Sequence, residues 1–379
     1  MPITPSSRAA AIEISLIRQI NALATPLTVN LGIGEPNVEP DREFREMASS
    51  VAMSGSWHYT ANAGDLTLRR SIADSLLQSI DPHSEICVTA GTEEALFAIM
   101  QAFAGPGDEI LIPDPGFVSY RTVAEMAGAT VKTYKLDPER WTMSLDAVAS
   151  QVTSATKLVV VNSPSNPLGS VIDTSTLHQL AALASEREFL IVSDEVYSEL
   201  YYDERPPSML GRGPNVIVVN GLSKSHSMTG LRLGWVVAAE PLMKPIVKAH
   251  QYIATCASAF SQSLAIEVFR NGDWNERWLS GARTQLLRQR DVALSAIEQN
   301  LEVALPPPAG AFYAFAPVPS CDTLTLARAL ATEAGVLTIP GVAFGTMGEG
   351  FLRISYASEP AVLVDGIERI GRYLTDHGR

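Results

Sequence analysis

The chain has 379 residues, of which 46% are hydrophobic and 18% are charged, a composition typical of globular proteins rather than disordered ones. Its formal net charge of -13 argues against a nucleic-acid partner, because phosphate-binding surfaces need clustered Lys and Arg side chains. The same charge does not exclude a small anionic substrate, since one arginine in a pocket is sufficient to bind it.

The N-terminus and the cysteines predict a soluble, cytoplasmic protein. Residues 1–8 lack the apolar core of a signal peptide, and no stretch approaches the roughly 18 apolar residues of a membrane span. Cys87, Cys256 and Cys321 are widely separated and have no CxxC spacing, so neither a disulfide framework nor a cysteine zinc site is indicated. A reducing compartment without membrane attachment is therefore expected.

Apolar strand-like runs alternate with helical patterns along most of the chain. Helical spacing of apolar residues predicts helices at Thr92–Phe103 and Thr174–Arg187, the second opened by an Asp173 cap. The strand-like runs are 109–113, 157–161, 189–193, 216–219 and 234–238. This alternation predicts an α/β fold, with a mostly parallel sheet flanked by helices on both faces.

A long, charge-rich helix is predicted from about residue 273 to residue 300, and a mixed α+β stretch follows three prolines at 306–308. Such a helix is a plausible bridge between two domains. Since no internal repeat, low-complexity tract or flexible linker separates the two parts, we expect them to pack tightly.

A tight glycine turn opens the helix that begins at Thr92. Phosphate prefers several N-H donors at the positive end of a helix, and Gly91, Thr92 and Glu93 could offer their backbone amides. Glu93 and Glu94 also suit a helix N-terminus for ordinary dipole reasons, so a purely structural turn is an equal alternative. Both side chains would have to point away from a bound phosphate.

Polar residues follow two of the buried runs. Asn166 lies in the loop 162–169, which the positions of its prolines would also explain as a simple turn. Asp194 directly follows the run 189–193, at the end of a buried strand, where a carboxylate is costly unless it is paired, and a protonated ring nitrogen would be a suitable partner. The alternative makes Asp194 a helix N-cap.

Lys224 follows the run 216–219, on a loop that leaves the carboxyl end of a strand, where ligand crevices form in open α/β sheets. Its amine can form a Schiff base with an aldehyde if its pKa is lowered, and a nearby Arg232 would lower it. Arg232 could also clamp a phosphate. A lone lysine in a loop is usually solvated, so this interpretation depends on the other motifs.

The spacing of Lys224, Gly230, Arg232 and Gly234 resembles the pyridoxal-phosphate lysine motif of the class I/II aminotransferases, in the fold-type I (aspartate aminotransferase-like) superfamily. The resemblance extends from about residue 8 to the end of the chain, through family-like stretches at 31–37, 59–64, 113–120, 162–169, 193–197, 308–313, 340–345 and 351–356. It implies a large domain at 41–275 that binds pyridoxal 5'-phosphate (PLP), and a smaller α+β domain formed by 1–40 and 276–379.

The resemblance also implies how the cofactor is held. Lys224 would carry PLP as an internal aldimine, Asp194 would pair with the ring nitrogen, and Asn166 and Tyr197 would contact the phenolic oxygen. Phe117 would stack on the ring, and the phosphate would be bound by Arg232 together with Gly91, Thr92 and Glu93. Tyr59 would reach the phosphate from the second subunit, which implies a homodimer with shared active sites.

One position departs from the family pattern. Many relatives place a phosphate-binding serine where this chain has Gly221. That contact therefore falls to Ser223 or is absent.

Substrate binding is implied at two places. Arg353 matches the family's carboxylate-binding arginine, and Asn166 would help it, although an arginine on an edge strand facing water is the structural alternative. Ile33 and Gly34 lie in a stretch that resembles the loop closing over the substrate.

The implied activity is a PLP-dependent aminotransferase that moves an amino group from an L-amino acid to a 2-oxo acid by a ping-pong mechanism, with Lys224 as general base and acid. A PLP-dependent β- or γ-lyase of the same fold would use the same cofactor motifs and stays open. A ligand-sensing module without catalysis is the other alternative, but only about 30 residues precede Gly32 and the charge does not suit DNA binding. The donor amino acid is left open.

Overall fold

The computed structural model describes residues 3–6, 9–10, 12–320 and 322–378. Cys321, considered above with the other cysteines, lies outside these ranges, as do Met1, Pro2, Ser7 and Arg8 of the N-terminal stretch.

Helices and strands alternate through most of the described chain. The helices are α1 (Leu16–Asn21), α2 (Arg42–Ser54), α3 (Leu66–Ser75), α4 (Thr92–Phe103), α5 (Ser119–Ala127), α6 (Leu145–Gln151), α7 (Thr174–Arg187), α8 (Leu222–Ser225), α9 (Glu240–Ala254), α10 (Ala259–Arg270), α11 (Gly272–Leu301), α12 (Thr323–Ala329) and α13 (Pro360–Asp376). The strands are β1 (Val29–Asn30), β2 (Ile86–Thr89), β3 (Glu109–Asp114), β4 (Thr130–Lys135), β5 (Thr156–Asn162), β6 (Leu190–Asp194), β7 (Val216–Gly221), β8 (Gly234–Ala238), β9 (Tyr313–Pro317), β10 (Val336–Leu337), β11 (Ile339–Pro340) and β12 (Phe351–Ser355).

The central sheet has seven strands in the order β2-β8-β7-β6-β5-β3-β4. Strands β4, β3, β5, β6 and β7 pair in parallel, whereas β8 is antiparallel to both β7 and β2. The predicted α/β fold with a mostly parallel sheet is therefore confirmed. Because the strands are parallel, the residues that follow β5, β6 and β7 meet at one edge of the sheet.

Two buried layers hold this sheet between helices, as its nearly continuous apolar strands require. Along β5, Leu158 and Val160 belong to the core cluster that also contains residues of α4, while Val159 and Val161 belong to the other cluster. Burial of each such side chain stabilises the fold by about 1.5 to 3 kcal/mol. Helix α7 begins where predicted, since the Asp173 side chain accepts a hydrogen bond from the Thr176 amide at 2.8 Å.

The C-terminal part contains a three-stranded antiparallel sheet in the order β11-β12-β9, and β1 pairs with β10. The 30-residue helix α11 packs against α13, so the long helix predicted near 273–300 is present. The division into domains at 41–275 and at 1–40 with 276–379 stays a prediction. No helix in the described part of the chain is long and apolar enough to cross a membrane.

Candidate active site

A cavity of about 700 Å³ opens at the carboxyl edge of the central sheet. Residues from the N-terminal segment, from the turns after the parallel strands and from β9 and β12 line it together. Those that the sequence singled out are Ile33, Gly34, Thr92, Glu93, Phe117, Asn166, Asp194, Tyr197, Ser223, Lys224, Arg232 and Arg353. Most of the predicted site thus converges on one space, although the contributing segments are far apart in sequence.

Lys224 lies on the short helix α8, directly after β7. Its Nζ donates a hydrogen bond to the carbonyl of Gly34 at 2.7 Å, and no carboxylate lies within 4 Å of it among the described residues. Burial lowers the pKa of Lys224 to about 8, and the charges of Arg353 and Arg232 act in the same direction. A large fraction of this amine is therefore neutral near pH 8 and able to attack a carbonyl carbon.

Asp194 ends β6 as a fully buried carboxylate without a cation at salt-bridge distance among the described residues. Its Oδ2 accepts from the Tyr120 hydroxyl at 2.8 Å, and its Oδ1 accepts from the Val196 amide at 3.3 Å. Burial raises the pKa of Asp194 to about 6, although both hydrogen bonds oppose the shift. The residue does not cap a helix, so the alternative that treated it as an N-cap was wrong.

Several hydrogen-bond donors lie at the corner of the cavity next to the N-terminus of α4. A Cβ built on Gly91, which has a φ of +85°, would lie 2.6 Å from Nη2 of Arg232, so only a glycine allows the guanidinium to approach the helix so closely. The Ser223 hydroxyl is buried and has no hydrogen-bond partner among the described residues. An anion at this corner would have amides, a guanidinium and a hydroxyl available.

Gly221 is explained by packing. A Cβ at this position would lie 2.8 Å from the carbonyl oxygen of Leu233 and 2.9 Å from Cα of Gly234. Since both contacts are to backbone, neither can move away cheaply, and a serine does not fit here.

Arg353 is 1% exposed and lies on β12, the central strand of its sheet. The alternative of an edge-strand arginine facing water was therefore wrong. The guanidinium donates to Oδ1 of Asn166 at 3.0 Å and to the carbonyl of Gly32 at 2.6 Å, while its Nε has no partner among the described residues. No carboxylate pairs with it there. A fully buried, unpaired cation at a cavity wall is costly unless a ligand supplies the counter-charge.

Asn166 is held by the turn that follows β5. Its backbone N-H donates to Oδ1 of Asn162 at 2.7 Å, while its own Oδ1 accepts from Arg353. With that oxygen occupied, the Nδ2 group of Asn166 is left as a donor.

Other predicted residues take less central positions. Phe117 lines the cavity, and its ring meets that of Tyr120 edge-on with the centroids 5.6 Å apart. Ile33 is 40% exposed at the cavity mouth. Tyr59 is 85% exposed and does not line this cavity within the single chain.

The sequence reasoning gave no role to Tyr120 and Tyr313, although both lie within the motifs it quoted. Tyr120 is the hydrogen-bond partner of Asp194. Tyr313 contacts both Arg353 and Tyr197. Their position at the end of each quoted stretch was visible, but nothing local in the sequence indicated which side chains they would meet.

Comparison with known proteins gives consistent results. The family model described as "Aminotransferase class I and II" matches residues 27–370. A "Probable aspartate aminotransferase" of Methanocaldococcus jannaschii is 36% identical, with 93% of this chain and 95% of that protein aligned. "Aromatic-amino-acid aminotransferase 2" of Thermococcus litoralis is 32% identical over 98% of both chains. The solved structure of an aspartate aminotransferase from Thermus thermophilus with maleate has a TM-score of 0.93 at 31% identity, covering 98% of this chain and 100% of that one.

Proposed function

From the premise that this chain belongs to the aminotransferase class I and II family, we propose how its residues divide the work of a PLP-dependent aminotransferase. The enzyme moves an amino group from an amino acid to a 2-oxo acid. When bound, PLP supplies an aldehyde that holds the amine and a ring that accepts electrons from the substrate's Cα.

The residues at the cavity fit this cofactor. A cationic ring nitrogen suits the buried Asp194 carboxylate, which has no cation at salt-bridge distance in the described part of the chain. A phosphate suits the Ser223 hydroxyl, which has no partner among the described residues, and Arg232 on the same cavity, with Gly91, Thr92 and Glu93 offering backbone amides. We assign Phe117 to the ring face because its partly buried ring borders the same space.

Lys224 is proposed as the catalytic base and acid. Its lowered pKa favours the neutral amine, which would hold the aldehyde of PLP and, once the donor's amine had displaced it, would take the proton from the donor's Cα. Tyr197 and Asn166 would donate hydrogen bonds to the phenolic oxygen of the cofactor, and Asp194 would keep the ring nitrogen protonated.

The observation that carries the substrate assignment is the buried guanidinium of Arg353, which lies on the same cavity as Lys224 and pairs with no carboxylate among the described residues. A substrate carboxylate would neutralise it through charge-assisted hydrogen bonds and would be oriented by them. Asn166 adds its free amide donor, and Ile33 and Gly34 line the same cavity.

We further propose a cytoplasmic homodimer in which Tyr59 reaches the partner's phosphate site. Trp57, two residues before Tyr59, is 72% exposed, and Tyr252, three residues before Thr255, is 88% exposed. The segment is held in place, since Asn62 donates to the carbonyl of Thr255 at 2.8 Å. An exposed aromatic patch on an ordered surface suits a subunit interface. Cys87 and Cys256 are free thiols, in keeping with a reducing compartment.

The decisive experiment is an absorbance spectrum of the PLP-loaded protein during addition of single amino acids, followed by a 2-oxo acid. The relatives named above differ in the donor they are named for, so the panel includes aspartate and glutamate as well as aromatic and aliphatic amino acids. Conversion to the pyridoxamine spectrum with one donor, and reversal by the oxo acid, is the expected result.

The same assay separates the alternatives. Release of ammonia and a 2-oxo acid without accumulation of the pyridoxamine form would indicate a lyase and contradict the proposal. A protein that stays colourless after addition of PLP would overturn the cofactor assignment itself.

A further inference from the structure

Tyr313 connects the two halves of the proposed site. It is the first residue of β9 and is completely buried, although its side chain lines the cavity. In the antiparallel pair of β9 and β12, Tyr313 lies opposite Ser355 and is therefore a diagonal neighbour of Arg353. Diagonal neighbours on one face are within reach of aromatic side chains.

The ring of Tyr313 supports the guanidinium of Arg353. Cζ of Arg353 lies 4.5 Å from the centroid of this ring and 5.0 Å from the centroid of Phe344. Two rings thus contact the cation, which has no carboxylate beside it among the described residues. Loss of the Tyr313 ring would leave the guanidinium with fewer constraints on its orientation.

The hydroxyl of Tyr313 contacts the other half of the site. It lies 2.9 Å from the hydroxyl of Tyr197, and a Cβ built on Gly34 would lie only 2.8 Å from it. If Tyr197 donates its single hydrogen to the cofactor, the hydrogen between the two tyrosines must come from Tyr313. Each hydrogen bond in such a chain polarises the next.

We propose that Tyr313 is a positioning residue that couples substrate carboxylate binding to the cofactor, its ring fixing Arg353 and its hydroxyl strengthening donation by Tyr197. The inference rests on the proposed function of the site. Its two parts are chemically separable, because Tyr313→Phe removes only the hydroxyl while Tyr313→Leu also removes the ring.

The hydroxyl is tested without any substrate. A hydrogen bond to the phenolic oxygen of PLP favours the deprotonated form of the Schiff base between PLP and Lys224. Weaker donation by Tyr197 would therefore raise the proton affinity of that Schiff base. In the PLP-loaded enzyme, Tyr313→Phe should raise the pH midpoint of the visible absorbance change by about 0.5 unit, roughly threefold in proton affinity. In a Tyr197→Phe background the same change should have no further effect.

The ring is tested with the donor that converts the wild-type enzyme fastest in the amino acid panel. Tyr313→Leu should raise the half-saturating donor concentration by about tenfold, whereas Tyr313→Phe should change it by less than about twofold. The matched control is Tyr356→Phe, which removes a hydroxyl from a second buried tyrosine pair, 3.1 Å from Tyr202, outside the cavity. This control variant should change neither the pH midpoint of the visible absorbance nor the half-saturating donor concentration.

A pH midpoint in Tyr313→Phe that equals the wild-type value would overturn the hydroxyl part, and it can be read even if Tyr313→Leu does not fold. Equal half-saturating donor concentrations in Tyr313→Leu and Tyr313→Phe would show that the Tyr313 ring does not position Arg353. If no amino acid converts wild-type enzyme that is loaded with PLP, the proposed function fails instead, and the midpoint measurement still decides whether Tyr313 acts on Tyr197.

Discussion

Arg353 donates a hydrogen bond to Oδ1 of Asn166 at 3.0 Å, across 187 positions of sequence. The contact joins the middle strand of the C-terminal sheet to the turn after β5 in the central sheet. Because the same guanidinium also donates to the Gly32 carbonyl, two segments distant in sequence fix its direction. A carboxylate that binds Arg353 is therefore placed relative to Lys224 before any chemistry begins.

Replacing Arg353 by lysine is predicted to lower kcat/KM for the donor by about 100-fold, because an ammonium cannot reproduce the two directed contacts and bidentate carboxylate binding. Steady-state kinetics with the best donor measure this change. Arg290→Lys is the matched control, since Arg290 also stacks on a tyrosine ring, that of Tyr202, but lies away from the cavity. Equal losses in both variants would show that the effect is structural.

Lys224 is predicted to control the rate at which PLP binds to the apoenzyme. The neutral amine attacks the aldehyde, and burial lowers its pKa to about 8, so the rate should rise with pH and level off above that value. Stopped-flow absorbance from about pH 6 to about pH 9.5 should show a slope near tenfold per unit at the acidic end.

Lys224→Ala should lose both the absorbance band of the internal aldimine and turnover. Lys244→Ala, which changes an exposed lysine paired with Glu240, should behave like the wild type. A coloured and fully active Lys224→Ala variant would refute the anchoring role, and a loading rate independent of pH would refute the lowered pKa.

Asp194→Asn is predicted to gain stability relative to the wild-type apoenzyme as the pH rises. The pKa of Asp194 is raised to about 6 in the folded protein. Its contribution to the free energy of unfolding is therefore fully present below about pH 4 and is lost as the pH rises through 6. The difference between the variants in free energy of unfolding should thus change by about 2 to 3 kcal/mol between these limits. Urea unfolding of both proteins without PLP measures it.

Asp173 is the control for this experiment, because its pKa is shifted in the opposite direction from that of Asp194. The pKa of Asp173 is lowered by its hydrogen bonds to the Thr176 amide and hydroxyl, so its contribution is lost as the pH falls. Asp173→Asn should therefore lose stability relative to the wild type toward high pH. A constant difference between Asp194→Asn and wild type would mean that Asp194 does not titrate as stated.

Gly221→Ala is predicted to destabilise the protein by about 1 to 3 kcal/mol, because the added Cβ would overlap the backbone of the neighbouring strand. Gly230→Ala, in the same motif but with open space around it, should change stability by less than about 0.5 kcal/mol. Thermal unfolding of the two variants makes the comparison. Gly221→Ser should be no more stable than Gly221→Ala and should not tighten PLP binding.

Local sequence patterns were sufficient to predict several helices and strands and the polar side chains that follow them. Helices α4 and α7 begin and end at the predicted residues, and β8 matches its predicted run. Periodicity, capping and β-branched runs are local properties, so they can be recognised without knowing what each element packs against. Asn166, Asp194 and Lys224 could be placed at one edge because parallel strands align their carboxyl ends.

The contacts among these side chains depend on how distant segments pack, and they could not be predicted from local patterns. Arg353 could have faced water from an edge strand, yet the sheet order makes its strand central and buries the cation. The unpaired hydroxyl of Ser223 and the stacking of Arg353 on Tyr313 likewise depend on segments distant in sequence. Local patterns encode the direction of a side chain relative to its own backbone, whereas its burial, charge state and partners are set by packing among distant segments, as in the Lys224 contact to Gly34 across 190 positions.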